Sequence, residues 1–235
     1  MNSFCRLLYK NAFYFTAFTA GMIMAAIIFC STGKISCLIQ LNGFHAKWLN
    51  IFFIGLTFLG DGLFSLLAAA FILFICRLNR LFLHVITSFL FSGIMAQVLK
   101  HLFRAPRPKE IIDSKLYTSF FDGIMGGGWD SFPSGHSTSV FALATILALH
   151  VNKKGWGLFF LMMAALVGYS RIYLGQHFLQ DIVAGALLGT ASAITVYTCV
   201  NLPRRPFKRK LTGHTTSAEG ATQVIQHFEI NQVIQ

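Results

Sequence analysis

The chain has 235 residues, of which 55% are hydrophobic and 11% are charged, and its mean hydropathy is +0.63. Soluble globular domains have about 25% charged residues, so this composition excludes that class and favours an integral membrane protein. The formal net charge of +11 is concentrated beside apolar segments rather than on a polar domain. We therefore expect anionic lipid head groups at the cytoplasmic face as partners, and no nucleic acid.

Apolar segments bounded by charge predict an all-α, polytopic membrane protein with six transmembrane helices in a bundle, because crossing a hydrocarbon core of about 30 Å takes ~20 helical residues. The predicted spans, in chain order, are 11–30, 63–76, 81–98, 137–151, 156–173 and 182–202. The second apolar segment is too long for one span and is interrupted at Gly60-Asp61-Gly62. Residues 48–59 are therefore predicted to form an interfacial helix before the second span, and Asp61 is interpreted as a structural residue near the interface.

Lysine and arginine residues fall in alternate loops, and short cytoplasmic loops are enriched in them. The basic residues that set the orientation are Arg6, Lys10, Arg77, Arg80, Lys153, Lys154 and those in 204–210. This pattern predicts a multi-pass membrane protein with both termini in the cytoplasm. The HFLQD and FPSGH segments have a bacterial character, so the expected location is the bacterial cytoplasmic membrane. Residues 1–210 are expected to form the membrane domain and 211–235 a loose polar tail. The cysteines lack metal-ligand spacing, and a disulfide between Cys30 and Cys37 stays open.

Three polar clusters interrupt the apolar pattern, and the predicted topology places all three at the outer face of the membrane. They are KHLFRAPRP from Lys100, PSGH from Pro133 and SRIYLGQHFLQD from Ser170. Lys100, Arg107 and Arg171 supply cations, and an arginine presents a planar fork that matches two phosphate oxygens. The clusters therefore predict a phosphate-binding site.

The PSGH cluster stands at the start of a predicted helix, where free backbone N–H groups and the helix dipole favour an anion. Ser134 adds a hydroxyl donor, and Gly135 lets the backbone approach the phosphate closely. His136 follows directly and lies at the same helix end. This segment is expected to bind the phosphate and to supply one histidine to the chemistry.

His177 and Asp181 are four residues apart, so they share one face if this segment is helical. The Asp181 carboxylate can then hold one ring nitrogen as a donor, and the other nitrogen is free to attack phosphorus. His136, from a different span, is placed to protonate the leaving oxygen. Together the three residues predict phosphoryl transfer with a histidine nucleophile.

The motifs KxxxxxxRP, PSGH and SRxxxxxHxxxD resemble those of the phosphatidic acid phosphatase type 2 superfamily, membrane lipid phosphatases related to vanadium haloperoxidases. Every motif position from Lys100 to Asp181 fits. The resemblance implies that His177 becomes phosphorylated, that Asp181 supports it and that His136 is the general acid. It also implies that no metal or other cofactor is needed. The phosphate-binding residues that it implies are Lys100, Arg107, Ser134, Gly135 and Arg171.

The expected function is hydrolysis of a phosphomonoester or diphosphate on a lipid at the outer face of the membrane. Undecaprenyl diphosphate, lipid A, phosphatidylglycerophosphate and phosphatidic acid all fit, with the first two favoured. Two alternatives stay open: a phosphotransferase that passes the phosphate to a second lipid, and a non-catalytic lipid-phosphate binding or transport protein. The sequence does not indicate the oligomeric state.

Overall fold

The computed structural model describes residues 3–112, 128–151 and 153–201, and every regular element in these ranges is helical. The helices are α1 (Ser3–Lys10), α2 (Ala12–Thr32), α3 (Lys34–Leu41), α4 (Lys47–Thr57), α5 (Gly62–Phe74), α6 (Asn79–Phe103), α7 (Pro108–Ile111), α8 (Gly135–His150), α9 (Lys154–Tyr173) and α10 (Leu179–Asn201). A 3₁₀ turn, Phe58–Gly60, joins α4 to α5. The prediction of an all-α fold is confirmed for these ranges, whereas the predicted tail, 211–235, lies outside them.

Four helical segments are long and apolar enough to cross a membrane: Ala12–Thr32, Asn79–Ile111, Gly155–Tyr173 and Leu179–Asn201. Lys47–Gly60 and Gly62–Phe74 qualify as a fifth span when they are counted together, and they are bent by 61° where they meet. Among the described residues the structure thus supports a multi-pass membrane protein with four or five spans. The count of six stays a prediction.

Helix α8 lies between other helices of the bundle and packs against α6, α9 and α10. It has 16 residues, fewer than the ~20 that a perpendicular crossing takes. Eleven of its residues are buried, including Thr138 and Thr145. Because protein rather than lipid surrounds α8, it accommodates polar side chains that a lipid-facing helix would exclude.

Two glycines of α10 allow it to approach α8 closely. A Cβ added at Gly185 would lie 2.7 Å from the carbonyl oxygen of Ser134, and one added at Gly189 would overlap the carbonyl oxygen of Thr138. Small residues one turn apart let helix backbones come together in membranes. At the end of this contact, the backbone N–H of Ser134 donates to the carbonyl oxygen of Asp181 at 3.0 Å. Two of the three predicted clusters are thereby joined.

The predicted interruption at Gly60-Asp61-Gly62 is present between α4 and α5. Asp61 is the N-cap of α5, because its Oδ1 accepts a hydrogen bond from the backbone N–H of Leu63 at 2.9 Å. Helix α4 packs against α9, with Phe53 and Leu56 buried. The location of α4 in the membrane interface stays a prediction.

A buried asparagine holds the C-terminal end of α9. Asn42 Nδ2 donates to the carbonyl oxygens of Ile172 and Tyr173 at 2.6 and 2.9 Å. The last carbonyl groups of a helix have no partners within the helix, so this side chain satisfies two of them. The bonds fix the position of the segment that carries Arg171.

The described residues contain no disulfide bond. Cys37 is buried in α3, whereas Cys30 is exposed on α2. The disulfide between them, which the sequence left open, is therefore not formed.

Candidate active site

The three predicted clusters meet at one end of the helix bundle. Lys100 lies in the last turn of α6, Arg171 in the last turn of α9 and Asp181 in the first turn of α10. Lys100 Nζ lies 3.9 Å from the position of a Cβ added to Gly135, the first residue of α8. The tertiary structure therefore brings together segments that are far apart in the sequence.

His177 and Asp181 form a buried pair at the α9–α10 junction. His177 Nδ1 lies 3.6 Å from Asp181 Oδ2, and the two side chains are 2% and 1% exposed. The same Oδ2 accepts hydrogen bonds from the Ser131 hydroxyl at 2.6 Å and from the backbone N–H of Phe178 at 3.0 Å. The carboxylate is thus held from two directions and faces Nδ1, which leaves Nε2 as the imidazole nitrogen for a substrate.

The way in which these two residues meet differs from the shared helix face considered from the sequence. Helix α10 begins at Leu179, so His177 lies in the turn before it. The backbone N–H groups of Gln176 and His177 donate to the carbonyl oxygen of Arg171 at 2.9 and 3.3 Å. This tight turn, rather than helical periodicity, directs the imidazole toward the Asp181 carboxylate.

Burial keeps the His177 imidazole neutral. The net effect of its surroundings lowers the pKa of His177 from 6.5 to about 4; loss of hydration is the main cause, and the Asp181 carboxylate opposes the shift only in part. The positive charges of Arg171 and Arg107 contribute to the same lowering of the pKa. Because a neutral imidazole keeps the lone pair of one nitrogen, His177 is in the form required of a nucleophile at neutral pH.

Asp130 binds two of the cations that the sequence assigned to a phosphate. Its Oδ1 accepts a hydrogen bond from Arg107 Nε at 2.8 Å, and its Oδ2 accepts one from Arg107 Nη2 at 3.3 Å. Asp130 Oδ2 also lies 3.7 Å from Lys100 Nζ. Partial burial opposes ionisation of Asp130, but the hydrogen bond from Arg107 and the charges of Arg107 and Lys100 outweigh it and hold the pKa of this carboxyl below its ordinary value.

Arg171 is buried and is held by the segment that joins α4 to α5. Its Nη1 donates to Thr57 Oγ1 at 2.7 Å. Its Nε is buried without a hydrogen-bond partner among the described residues, and the same is true of Asp181 Oδ1. A buried donor without a partner costs about 1–3 kcal/mol, so an anion that accepts from Nε would remove this cost.

The first turn of α8 has the predicted geometry of an anion-binding helix start. Ser134 is the N-cap, and its Oγ accepts from the backbone N–H and the hydroxyl of Ser137 at 3.4 and 3.2 Å. The first N–H groups of a helix, here those of Gly135 and His136, have no carbonyl partner within it. Together with the helix dipole they favour a negative group next to Lys100.

Three residues join this site although the sequence motifs did not indicate them. Ser131 and Asp130 stand directly before FPSGH, and this proximity to a motif is the signal by which they could have been found. Thr57 is distant in the sequence from Arg171, and no spacing pattern connects the two. In the part of the chain that the structure describes, no group of three or more His, Cys, Asp and Glu residues is placed to hold a metal ion.

Comparison with known proteins gives one family and several relatives. The model of the PAP2 superfamily matches residues 81–205, a range that is more than half of the chain and contains all three clusters. The bacitracin transport permease protein BcrC of Bacillus licheniformis is 32% identical over 122 residues, which cover 51% of this chain and 56% of that protein. The lipid A 1-phosphatase of Rhizobium etli is 32% identical over 106 residues, which cover 45% of this chain and 44% of that protein. The chain thus spans about half the length of these relatives.

The fold is also similar to that of a solved structure. The crystal structure of Aquifex aeolicus LpxE matches with a TM-score of 0.63 and 26% sequence identity, over 70% of this chain and 94% of that one. The similarity therefore extends beyond the motifs to most of the helical arrangement.

Proposed function

The chain belongs to the PAP2 superfamily, and from this membership we propose that it is an integral membrane lipid phosphatase that forms a phosphohistidine. The observation that carries the proposal is the buried His177–Asp181 pair, placed close enough to Arg171 and Arg107 for their charges to act on the imidazole. This arrangement combines a neutral nucleophile with cations that match a phosphate. The substrate is a phosphomonoester or diphosphate of a lipid.

Binding of the substrate phosphate uses the cations of the site. The phosphate replaces the Asp130 carboxylate on Arg107 and Lys100, since the same guanidinium fork and ammonium group suit both anions. Arg171 Nε, which has no partner among the described residues, donates to a phosphate oxygen. Ser134, Gly135 and the first turn of α8 complete the phosphate site. The cations stabilise the charge of the transition state without a metal.

The chemical steps transfer the phosphoryl group to His177 and then to water. His177 Nε2 attacks phosphorus, the bond from phosphorus to the leaving oxygen breaks, and that oxygen takes a proton from His136. Asp181 stabilises the positive charge that develops on the His177 ring. Water then attacks the phosphohistidine and loses a proton to His136. Inorganic phosphate leaves, and both histidines return to their starting protonation states.

The site also fits the two alternative functions, a phosphotransferase and a lipid-phosphate binding or transport protein, because both would bind the phosphate as a phosphatase does. The name of the Rhizobium etli relative is that of a phosphatase, whereas the name of the Bacillus licheniformis relative is that of a transport permease. A binding or transport protein needs the cations but not His177, His136 and Asp181, so the presence of all three favours catalysis. A phosphotransferase uses the same residues and differs only in the group that accepts the phosphate from His177.

The membrane arrangement that we propose has six spans. Helix α8 is the enclosed fourth span, α4 is an interfacial helix, and both termini lie in the cytoplasm of a bacterium. The site then faces the outside of the cytoplasmic membrane. The exposed apolar residues of α2 and the basic residues of alternate loops support this arrangement.

Phosphate release by the purified protein tests the proposed function. The detergent-solubilised protein would be incubated with undecaprenyl diphosphate, lipid A, phosphatidylglycerophosphate and phosphatidic acid, each in the presence of EDTA. We expect inorganic phosphate from at least one lipid, and none from the same lipid with His177→Ala. Labelled phosphate recovered on a second lipid instead of in solution would identify a phosphotransferase. No release or transfer from any of the lipids would contradict the proposal.

A further inference from the structure

The segment that joins α4 to α5, residues 57–62, contacts the candidate site. We call it the α4–α5 break. It contains Thr57, the partner of Arg171, and Asp61, the N-cap of α5. We propose that Asp61 is a positioning residue whose carboxylate favours the protonated form of His136, the form that donates to the leaving oxygen. This role rests on the proposed phosphatase function.

Gly60 brings the break into direct contact with His136. A Cβ added at Gly60 would lie 2.9 Å from the His136 Cβ, 3.1 Å from the His136 carbonyl oxygen and 2.8 Å from Val167 Cγ1. Real Cβ atoms essentially never come within 3.0 Å of such neighbours, so glycine lets the chain pass this close. The residue that follows Gly60 is therefore held beside the first turn of α8.

The carboxylate of Asp61 is fixed in this position. Its Oδ1 accepts a hydrogen bond from Leu63 N–H at 2.9 Å, which ties the side chain to the start of α5. At the other end of the break, Thr57 Oγ1 accepts from Arg171 Nη1 at 2.7 Å. The break thus contacts two of the groups that the reaction uses, His136 through Gly60 and Arg171 through Thr57.

The cap alone does not explain a carboxylate at this position. Serine, threonine or asparagine caps a helix about as well as aspartate does, and these residues are uncharged. An ionised carboxylate between two apolar helices is costly and is usually balanced by a cationic partner. The α4–α5 break packs on His136 through Gly60, and the charge of Asp61 acts on this imidazole across the site without a direct ion pair.

The charges around His136 show why a carboxylate is needed there. The charged and titratable groups that act on His136 are Arg171 from α9, His177 from the α9–α10 turn, Lys100 from α6 and Asp61 from the α4–α5 break. Of these four, Asp61 carries the negative charge. Burial disfavours a protonated His136 most, the cations that bind phosphate disfavour it as well, and the Asp61 carboxylate favours it. Asp61 therefore offsets the effect that the phosphate-binding cations have on the general acid.

The substitution Asp61→Asn tests this role, because asparagine keeps the size and the capping oxygen and removes the charge. The measurement is kcat/KM against pH for two substrates: the lipid phosphate, whose leaving oxygen needs a proton, and p-nitrophenyl phosphate, whose leaving group does not. A nearby carboxylate raises the pKa of an imidazole, and activity is lost as pH rises through that pKa. Without Asp61, we expect the alkaline limb for the lipid to move to lower pH by roughly 0.5–1.5 units.

The comparison of substrates separates this role from a purely structural one. At neutral pH we expect Asp61→Asn to lower kcat/KM for the lipid by about 3- to 30-fold, and that for p-nitrophenyl phosphate by less than about 2-fold. Glu110→Gln is the matched control, since it also removes one carboxylate charge while keeping an acceptor for the backbone N–H of Gly128. It should leave the alkaline limb in place.

Further variants make each outcome decisive. In a His136→Ala background, Asp61→Asn should have no additional effect on the lipid reaction, because the residue acts through His136. Asp61→Ser, which also caps a helix, should repeat the result if Asp61→Asn lowers the yield of folded protein. An unaltered protein that hydrolyses no phosphate would overturn the proposed function and this role together. Two results with an active protein would overturn this role alone. In the first, the Asp61 variants keep the alkaline limb at the same pH; in the second, kcat/KM falls equally for the lipid and for p-nitrophenyl phosphate.

Discussion

Arg107 binds Asp130 through two nitrogens, with Nε–Oδ1 at 2.8 Å and Nη2–Oδ2 at 3.3 Å. This is the two-point geometry by which a guanidinium group recognises a phosphate, and Lys100 Nζ approaches the same carboxylate at 3.7 Å. Half of the Asp130 side chain is exposed. The pair is therefore strong enough to order the cations and open enough for a substrate phosphate to replace the carboxylate.

Asp130→Asn should strengthen the binding of phosphate. The substitution removes a competing carboxylate from Arg107 and Lys100, and an exposed ion pair of this kind contributes about 0.2–1 kcal/mol. We expect the inhibition constant of inorganic phosphate to fall by about 1.5- to 5-fold, as measured by competition with the lipid substrate. Glu110→Gln should not change it. A weaker inhibition by phosphate in Asp130→Asn would show that Asp130 supports phosphate binding instead of competing with it.

His177→Ala should abolish turnover while leaving lipid phosphate binding in place. The cations Lys100, Arg107 and Arg171 remain, but the covalent nucleophile is lost, and such a loss costs several orders of magnitude. Incorporation of labelled phosphate into the protein, stable in alkali and labile in acid, should disappear. A His177→Ala protein that keeps more than about a tenth of the rate, or still takes up label, would mean that the nucleophile is another group.

Asp181→Asn should have a smaller effect than loss of His177. It keeps the side-chain volume but removes the charge that stabilises the imidazole ring, and orienting carboxylates in catalytic triads are worth about 10²- to 10⁴-fold in kcat. Kinetics on the same lipid would give the ratio. Equal losses in Asp181→Asn and His177→Ala would indicate that the carboxylate does more than orient and stabilise.

Ser131→Ala should lower kcat although Ser131 is not part of any motif. Its hydroxyl donates to the buried Asp181 Oδ2 at 2.6 Å, and removal of one partner from a buried pair costs about 1–3 kcal/mol. We expect kcat to fall by about 5- to 100-fold, with the thermal unfolding temperature also lowered. Ser92→Ala is the control, since Ser92 is buried in α6 and donates to the carbonyl oxygen of Phe89. An unchanged kcat in Ser131→Ala would remove Ser131 from the site.

The pH dependence of kcat/KM should have an acid limb that belongs to His177. The pKa of His177 is lowered to about 4, and the attacking form is neutral, so activity should be lost as pH falls through this region. In the unfolded chain the same group has a pKa near 6.5, so the unfolded state binds the proton first as pH falls. The free energy of unfolding should therefore decline between pH 6.5 and about 4. A half-maximal point near pH 6.5 would show that His177 is hydrated rather than buried in solution.

Reporter fusions test the orientation in the membrane. A reporter that is active only outside the cytoplasm should be active when it is fused after Lys115 and silent when it is fused after Lys210. The first position lies between the KHLFRAPRP and PSGH clusters, and the second follows the basic residues in 204–210. The opposite pattern would place the candidate site at the cytoplasmic face.

The helices followed from the sequence because hydrophobic patterning is a local property. The predicted segments 11–30, 156–173 and 182–202 correspond to α2, α9 and α10, and the interruption at Asp61 separates α4 from α5. In the same way, the spacing of the motif residues along the chain carried the resemblance and marked them as candidate site residues. Composition and spacing were sufficient to predict the helices and the candidate residues, because both can be read without knowing which helices pack together.

The contacts that organise the site depended on the tertiary structure. Ser131 meets Asp181, and Gly60 meets His136, only because helices from distant parts of the chain end at the same place. Likewise, the imidazole of His177 is turned toward Asp181 by a tight turn and not by helical periodicity. Side-chain direction, burial and the charges around each histidine arise from packing between elements. No pattern within one segment encodes them.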